Sequence, residues 1–260
     1  MSDYLRIETR EHHSIWVVLS RPEKHNAFDE HLIAALTDAF KQAEADATAA
    51  SIVLAAEGQS FSAGADLDWM RRAAAFTREE NIKDARALGR LLHVLDNLSK
   101  PTVAVVQGAA YGGALGLIAC CDIAIAAAEA KFSFSETRLG LIPAVISPYA
   151  VAAIGARNAR RYFQSAEIFS AATAKDIGLV HEVLAREQLP ARVGEVLAAL
   201  ALPAPHAKAA AKRLIKEIAH RAIGDVAEIT AQLIADTRTS PEAKEGLQAF
   251  FDKRKHNWQS

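Results

Sequence analysis

Residues 61–70 read FSAGADLDWM and follow SIVLAAEGQS at 51–60. The apolar part of the preceding run suits a short strand buried on both faces, and its end suits a turn. Then come three small residues, Ala63, Gly64 and Ala65, before Asp66 opens a helix-like segment. Small side chains at such a junction let another group approach the backbone closely. The same succession recurs in TVAVVQGAAYGGALGLIACC at 102–121, where Gly112 and Gly113 stand between a buried strand and a helix. The first amides of a helix have no intrahelical acceptor, so each turn can aim an N–H at a ligand. Two converging N–H groups would stabilise charge developing on a carbonyl oxygen. Taken singly, each turn is better explained by close packing of a helix on a sheet.

Outward from these turns, LRIETR and SIWVVLS read as two antiparallel strands around His12, His13 and Ser14. RPEKHNAF is a loop. From Asp29, a candidate N-cap, Leu32, Ile33, Leu36 and Phe40 recur at helical spacing. A helix over ENIKDARALGRLLHVLDNLS precedes Pro101, and TVAVVQ, DIAIAA and KFSF read as further short strands. Strands and helices alternate to about residue 185, which predicts an α/β core over residues 1–185. Residues 186–260 carry no strand-like run and predict amphipathic helices, broken at Pro203, Pro205, Gly224 and Pro241, with apolar stripes to bury against another subunit.

Composition excludes several classes. The chain has 260 residues, 51% hydrophobic and 23% charged, a globular balance. A formal net charge of -1 offers no basic surface for nucleic acid. Residues 101–121 lack charge and are long enough to span a membrane, but Gln107 and the glycines 108, 112, 113 and 116 favour a buried strand, turn and helix. The N-terminal MSDYLRIETREHH carries charge where a signal peptide needs an apolar centre. Cys120 and Cys121, adjacent in an apolar run, form no disulfide framework and read as packing residues in a reducing, cytoplasmic protein. No G-x-G-x-x-G, P-loop or G-x-S-x-G pattern occurs, and His12-His13 has no metal-spaced companion, so no metal site is expected.

Five segments in order, RPEKHNAFD, FSAGADLDWM, GAAYGGALGLIACCDIAIAA, FSFSETRLGLIPA and EGLQAFFDKRKHNW, resemble the crotonase (enoyl-CoA hydratase/isomerase) superfamily over nearly the whole chain. The segment VISPYAVAAIGARNARRYFQSAEIFSA resembles bacterial methylglutaconyl-CoA hydratases and their isohexenylglutaconyl relatives. The resemblance implies a spiral of ββα turns followed by a helical trimerisation region, giving a homotrimer or a dimer of trimers. It implies an acyl-CoA thioester whose carbonyl lies between the backbone N–H groups of Ala65 and Gly113, where a side chain larger than alanine at 65 would crowd the thioester. Donors so placed supply on the order of 3–4 kcal/mol each to a developing enolate. Coenzyme A is part of the substrate, and no separate cofactor is implied. Lys24 and Ala27 match positions that contact the nucleotide and pantetheine. Ala63, Asp66 and Leu67 match the adenine pocket, and Lys253 matches a lysine reaching CoA phosphate from a neighbouring subunit. Lys24 and Lys253 read equally well as solvated charges.

Family hydratases use two glutamates. Glu136, in SETRLGL after the apolar KFSF, matches the second, and its surroundings should raise its pKa toward a useful range; without the resemblance it reads as a first-turn helix residue favoured by the helix dipole. The first glutamate's place falls on Gly116, which transfers no proton. Asp68, Tyr111 and Ser147 are candidates to hold water, Arg138 a candidate for a distal substrate carboxylate, and Asp122 a structural residue at a strand start. The expected activity is hydration of a branched or carboxylated enoyl-CoA, such as methylglutaconyl-CoA. Enoyl-CoA isomerisation and acyl-CoA binding without catalysis are the alternatives.

Overall fold

The computed structural model describes residues 4–219 and 221–259. The first three residues of the charged N-terminal stretch lie outside the described residues. Strands β1 (Leu5–Arg10) and β2 (Ser14–Leu19) pair antiparallel, Leu5 opposite Leu19. A 3-10 turn at Glu11–His13 joins them, with His12 and His13 at φ 58 and 54 absorbing the reversal. Helix α1 (Glu30–Ala45) starts where the sequence predicts, with the Leu32 N–H donating to Asp29 Oδ1 at 2.8 Å. Its apolar stripe, Leu32, Leu36 and Phe40, is buried.

The chain then turns repeatedly in one manner. Strands β3 (Ser51–Ala56) and β4 (Ser60–Ser62) lead to α2 (Leu67–Ala73) and α3 (Arg78–Asp96). Strands β5 (Thr102–Val106) and β6 (Ala109–Tyr111) lead to α4 (Gly113–Cys120). Strands β7 (Ile123–Ala127) and β8 (Lys131–Ser133) lead to α5 (Ser147–Ser165). After them come β9 (Phe169–Ser170), α6 (Ala171–Asp176) and β10 (Glu182–Leu184). The first strand of each pair joins a sheet ordered β1-β2-β3-β5-β7-β10, and the second joins one ordered β4-β6-β8-β9. Each ββα turn therefore adds one strand to each sheet, and the chain advances as the predicted spiral. Beyond the first hairpin the larger sheet is parallel, which explains the continuous apolar runs of β3, β5 and β7, buried on both faces.

Residues 101–121 resolve into β5, β6 and the short, buried α4. Among the described residues no helix is long and apolar enough to cross a membrane. Cys120 and Cys121 are buried and unpaired, and burial pushes the Cys121 thiol up to about 12, which suits packing rather than nucleophilic chemistry. Asp122 holds a strand junction, accepting from the Thr102 N–H and hydroxyl at 2.8 and 2.9 Å and from Lys212 Nζ at 2.7 Å.

Among the described residues four α-helices follow residue 185: α7 (Leu189–Ala201), α8 (Pro205–Ile218), α9 (Ala227–Thr239) and α10 (Pro241–Phe251). Helix α7 covers the outer face of the larger sheet, packing Leu189, Val193 and Leu197 on Val53, Val103 and Ile125. The later helices leave Ile215, Ile234, Phe250 and Phe251 exposed.

Candidate active site

Both small-residue turns border one cleft of 260 Å³, lined by Ala65, Gly113 and Glu136 among others. The first turn works through Gly64, whose φ of +91 is costly for any residue with a Cβ. Its carbonyl accepts from the Phe28 N–H at 2.7 Å, and the Asp66 N–H donates to the Phe28 carbonyl at 2.8 Å. This single bridge between Phe28 and Ala65 engages the Gly64 carbonyl and the Asp66 N–H and passes over the Ala65 N–H, which has no acceptor among the described residues. The second turn works through Gly112, at φ +55, whose N–H donates to the Ser133 carbonyl at 3.0 Å. Gly113 then opens α4, and its N–H likewise has no acceptor among the described residues. A Cβ on Gly112 would stand 3.4 Å from Glu136 Oε1, so this glycine also makes room for the carboxyl group.

Glu136 begins a 3-10 turn, Glu136–Leu139, just after β8. The fully buried Phe132 and Phe134 anchor the chain before it. Its Oε2 is buried without a hydrogen-bond partner. Burial pushes the Glu136 pKa up, opposed only by a bond from its own backbone N–H. A carboxyl group in that condition binds a proton readily and, once ionised, is a strong base.

The place of the absent glutamate is closed. A Cβ built on Gly116 would collide with Ile146, lying 2.8 Å from its Cβ, and would press Leu92 Cδ2 at 3.4 Å. Ile146 also lines the cleft, so an apolar side chain fills the space. Asp68, Tyr111, Ser147 and Arg138 do not line it. Asp68 accepts from Lys24 and Arg71, and the Ser147 hydroxyl donates to the Ala144 carbonyl at 2.8 Å.

The residues expected around CoA lie off the cleft lining. Asp66 is the N-cap of α2, with Oδ1 accepting from the Asp68 and Trp69 N–H groups at 2.8 and 3.1 Å. Burial works to raise its pKa, but those two bonds, with Lys24 and Arg21 nearby, hold it below the usual carboxylate range. Its carboxylate is thereby committed to the fold. Lys24 is exposed, 3.2 Å from Asp68 and 3.6 Å from Asp66, and must exchange these partners to meet a phosphate. Ala63 is exposed beside it with its N–H held by the His25 carbonyl, while Ala27 is buried behind Phe28, a cleft residue. Leu67 is 70% exposed at the head of α2, an apolar surface beside the turn. Lys253 follows α10 at φ 52, exposed and outside the cleft lining.

Most of the cleft lining was absent from the sequence expectations, Asp84 and Trp69 included. Asp84 and Trp69 line the wall formed by α3 and α2. The signal for Asp84 was present: it stands four residues before Leu88 and eight before Leu92, on the apolar stripe of α3. Among the described residues no cluster could hold a metal ion.

Comparison with known proteins identifies the family. The profile of the enoyl-CoA hydratase/isomerase family matches residues 10–260. The crystal structure of an enoyl-CoA hydratase from Shewanella pealeana is 42% identical and superimposes with a TM-score of 0.95, covering 98% of this chain and 96% of that one. The crotonyl-CoA hydratase of Syntrophomonas wolfei is 30% identical over 247 residues, 92% of each chain. The 4-chlorobenzoyl coenzyme A dehalogenase-2 of an Arthrobacter species is 29% identical over 236 residues, 90% of this chain and 86% of that one. With its spiral of two sheets, its paired small-residue turns and a match spanning residues 10–260, the chain belongs to the enoyl-CoA hydratase/isomerase family of the crotonase superfamily.

Proposed function

We propose that this enzyme adds water across the 2,3-double bond of a short enoyl-CoA thioester, using one carboxyl group. The carrying observation is that Ala65 and Gly113, whose amides have no acceptor among the described residues, line one cleft with Glu136, which has a buried, unpartnered carboxyl oxygen. The Ala65 and Gly113 N–H groups hold the thioester oxygen as negative charge develops on it. The ionised Glu136 takes a proton from water as the oxygen of that water bonds to C3, and the same proton then passes to C2 of the enolate. Atoms balance with no co-reactant. At 260 Å³ the cleft sits near the lower limit for ligand sites, about 300 Å³, and suits a chain of a few carbons.

The branched part of a methylglutaconyl group is compatible with the apolar walls. Its distal carboxylate needs a cation, and among the described lining residues there is no Lys, Arg or His. An uncharged branched or linear chain is therefore the better substrate. The isomerase alternative is favoured by one observation, the filling of the first glutamate's place by Ile146. One carboxyl group can carry a proton between C4 and C2 without water. Binding without catalysis leaves the unpartnered Glu136 unexplained, since burial of such a group costs stability.

Purified protein incubated with 2-enoyl-CoA thioesters in oxygen-labelled water is expected to lose the conjugated absorbance and place label at C3. Movement of a 3-enoyl double bond with solvent deuterium uptake and no label would replace hydration by isomerisation. Assembly into a trimer or a dimer of trimers, with residues 186–260 as its helical region, is supported by the exposed apolar residues of α8, α9 and α10.

A further inference from the structure

The cleft holds a second carboxyl group that the hydration step does not use. Asp84 lies half-buried on its α3 wall, among Ile33, Trp69, Leu88 and Ile142. No cationic side chain shares the lining. Arg72 is occupied nearby by Glu30, at 2.7 and 2.9 Å. We propose that Asp84 is a specificity-determining residue that admits uncharged acyl chains and rejects those ending in a carboxylate. This rests on reading the cleft as the acyl chamber of an enoyl-CoA enzyme.

The argument is electrostatic. A negative charge in an apolar wall, without a counterion, sets up a repulsive field that water screens poorly. Burial and the nearby Glu30 push the Asp84 pKa up, against a hydrogen bond with Trp69, so the site already disfavours one negative charge. A distal substrate carboxylate would add a second in the same 260 Å³, with Glu136 as a third acidic group. Like charges brought together at a binding surface discriminate strongly between partners. A hydrocarbon chain of the same shape meets no such barrier.

Two matched thioester pairs test this. Glutaryl-CoA and 5-methylhexanoyl-CoA are saturated, equal in size and different in charge, and their binding by calorimetry needs no turnover. Glutaconyl-CoA and 5-methyl-2-hexenoyl-CoA are the corresponding substrates. The wild type is expected to prefer the neutral member of each pair by about tenfold or more, and Asp84→Asn to shrink that preference by about tenfold. Asp84→Ser should do the same if the asparagine variant fails to fold. Equal binding of the saturated pair by the wild type, or an unchanged preference in a folded variant, overturns the proposal. So does loss of turnover on both enoyl substrates at equal binding, which would place Asp84 in the chemistry. If the saturated pair shows the preference while no enoyl thioester is hydrated, the specificity role stands and the hydratase reading fails. If no thioester binds, both fall.

Discussion

Glu136→Gln is expected to lower turnover of enoyl-CoA thioesters by about 10²–10⁴-fold, the usual worth of general acid–base catalysis. Binding should stay nearly unchanged, because the amide keeps the shape of the side chain and the Ala65 and Gly113 amides are untouched. The loss should therefore fall on kcat rather than KM. A variant that retains full turnover would remove Glu136 from the reaction. One that loses binding in proportion would make it a substrate-holding group instead.

The same substitution should make the folded protein more stable, and the sign can be worked through. Burial raises the Glu136 pKa above its ordinary value of 4.5. Below that value the carboxyl group is protonated in both folded and unfolded chains and carries no ionisation penalty. As pH rises, the unfolded chain releases its proton first, so the stability of the wild type declines until the folded pKa is passed. Glutamine has no such decline. The melting temperature of Glu136→Gln should therefore exceed that of the wild type at pH 8 and converge on it at pH 4. Coincident curves at both pH values would mean that the carboxyl group is not held in a desolvated state. Gain in stability joined to loss of rate is the pattern expected of a group kept unpaired for catalysis.

The fold was legible because its signals are local. Periodicity revealed α1, the Asp29 cap announced its start, and unbroken apolar runs marked β3, β5 and β7 as doubly covered. Both small-residue turns could be placed between strand and helix without knowing that they meet. Their convergence with Glu136 is a long-range fact, carried by the β4-β6-β8 order of the smaller sheet. Asp84 was missed for a different reason. In ENIKDARALGRLL an acid among charged neighbours reads as a solvated face, and only the packing of α3 shows that its stripe borders a cleft. Asp66 shows a role that the resemblance did not imply: its carboxylate is the local N-cap of α2. The closed space at Gly116 was also invisible, because Ile146 and Leu92 come from distant parts of the chain.

Restoring the absent glutamate tests that closure most severely. Gly116→Glu should destabilise the protein strongly, because no rotamer avoids the Cβ contact with Ile146. Overpacking a tight core costs about 1–3 kcal/mol, and a buried carboxyl group without a partner adds a similar amount. A total near 3 kcal/mol would lower the melting temperature by roughly 6–12 °C in a chain of this size. Trimming the obstacle should reverse much of this: Gly116→Glu with Ile146→Ala is expected to be more stable than Gly116→Glu alone, although Ile146→Ala by itself leaves a cavity and is destabilising. That non-additivity, on the order of 1–3 kcal/mol in a double-mutant cycle, is the signature of two side chains competing for one volume. Because Ile146 lines the cleft, the double variant would also bring a third carboxyl group to the cleft that holds Glu136 and Asp84. If water capture limits the wild type, its rate of label incorporation should rise relative to its rate of solvent deuterium exchange. Should Gly116→Glu alone fold with the stability of the wild type, Ile146 yields without cost, and the apolar filling no longer explains why this chain works with one glutamate.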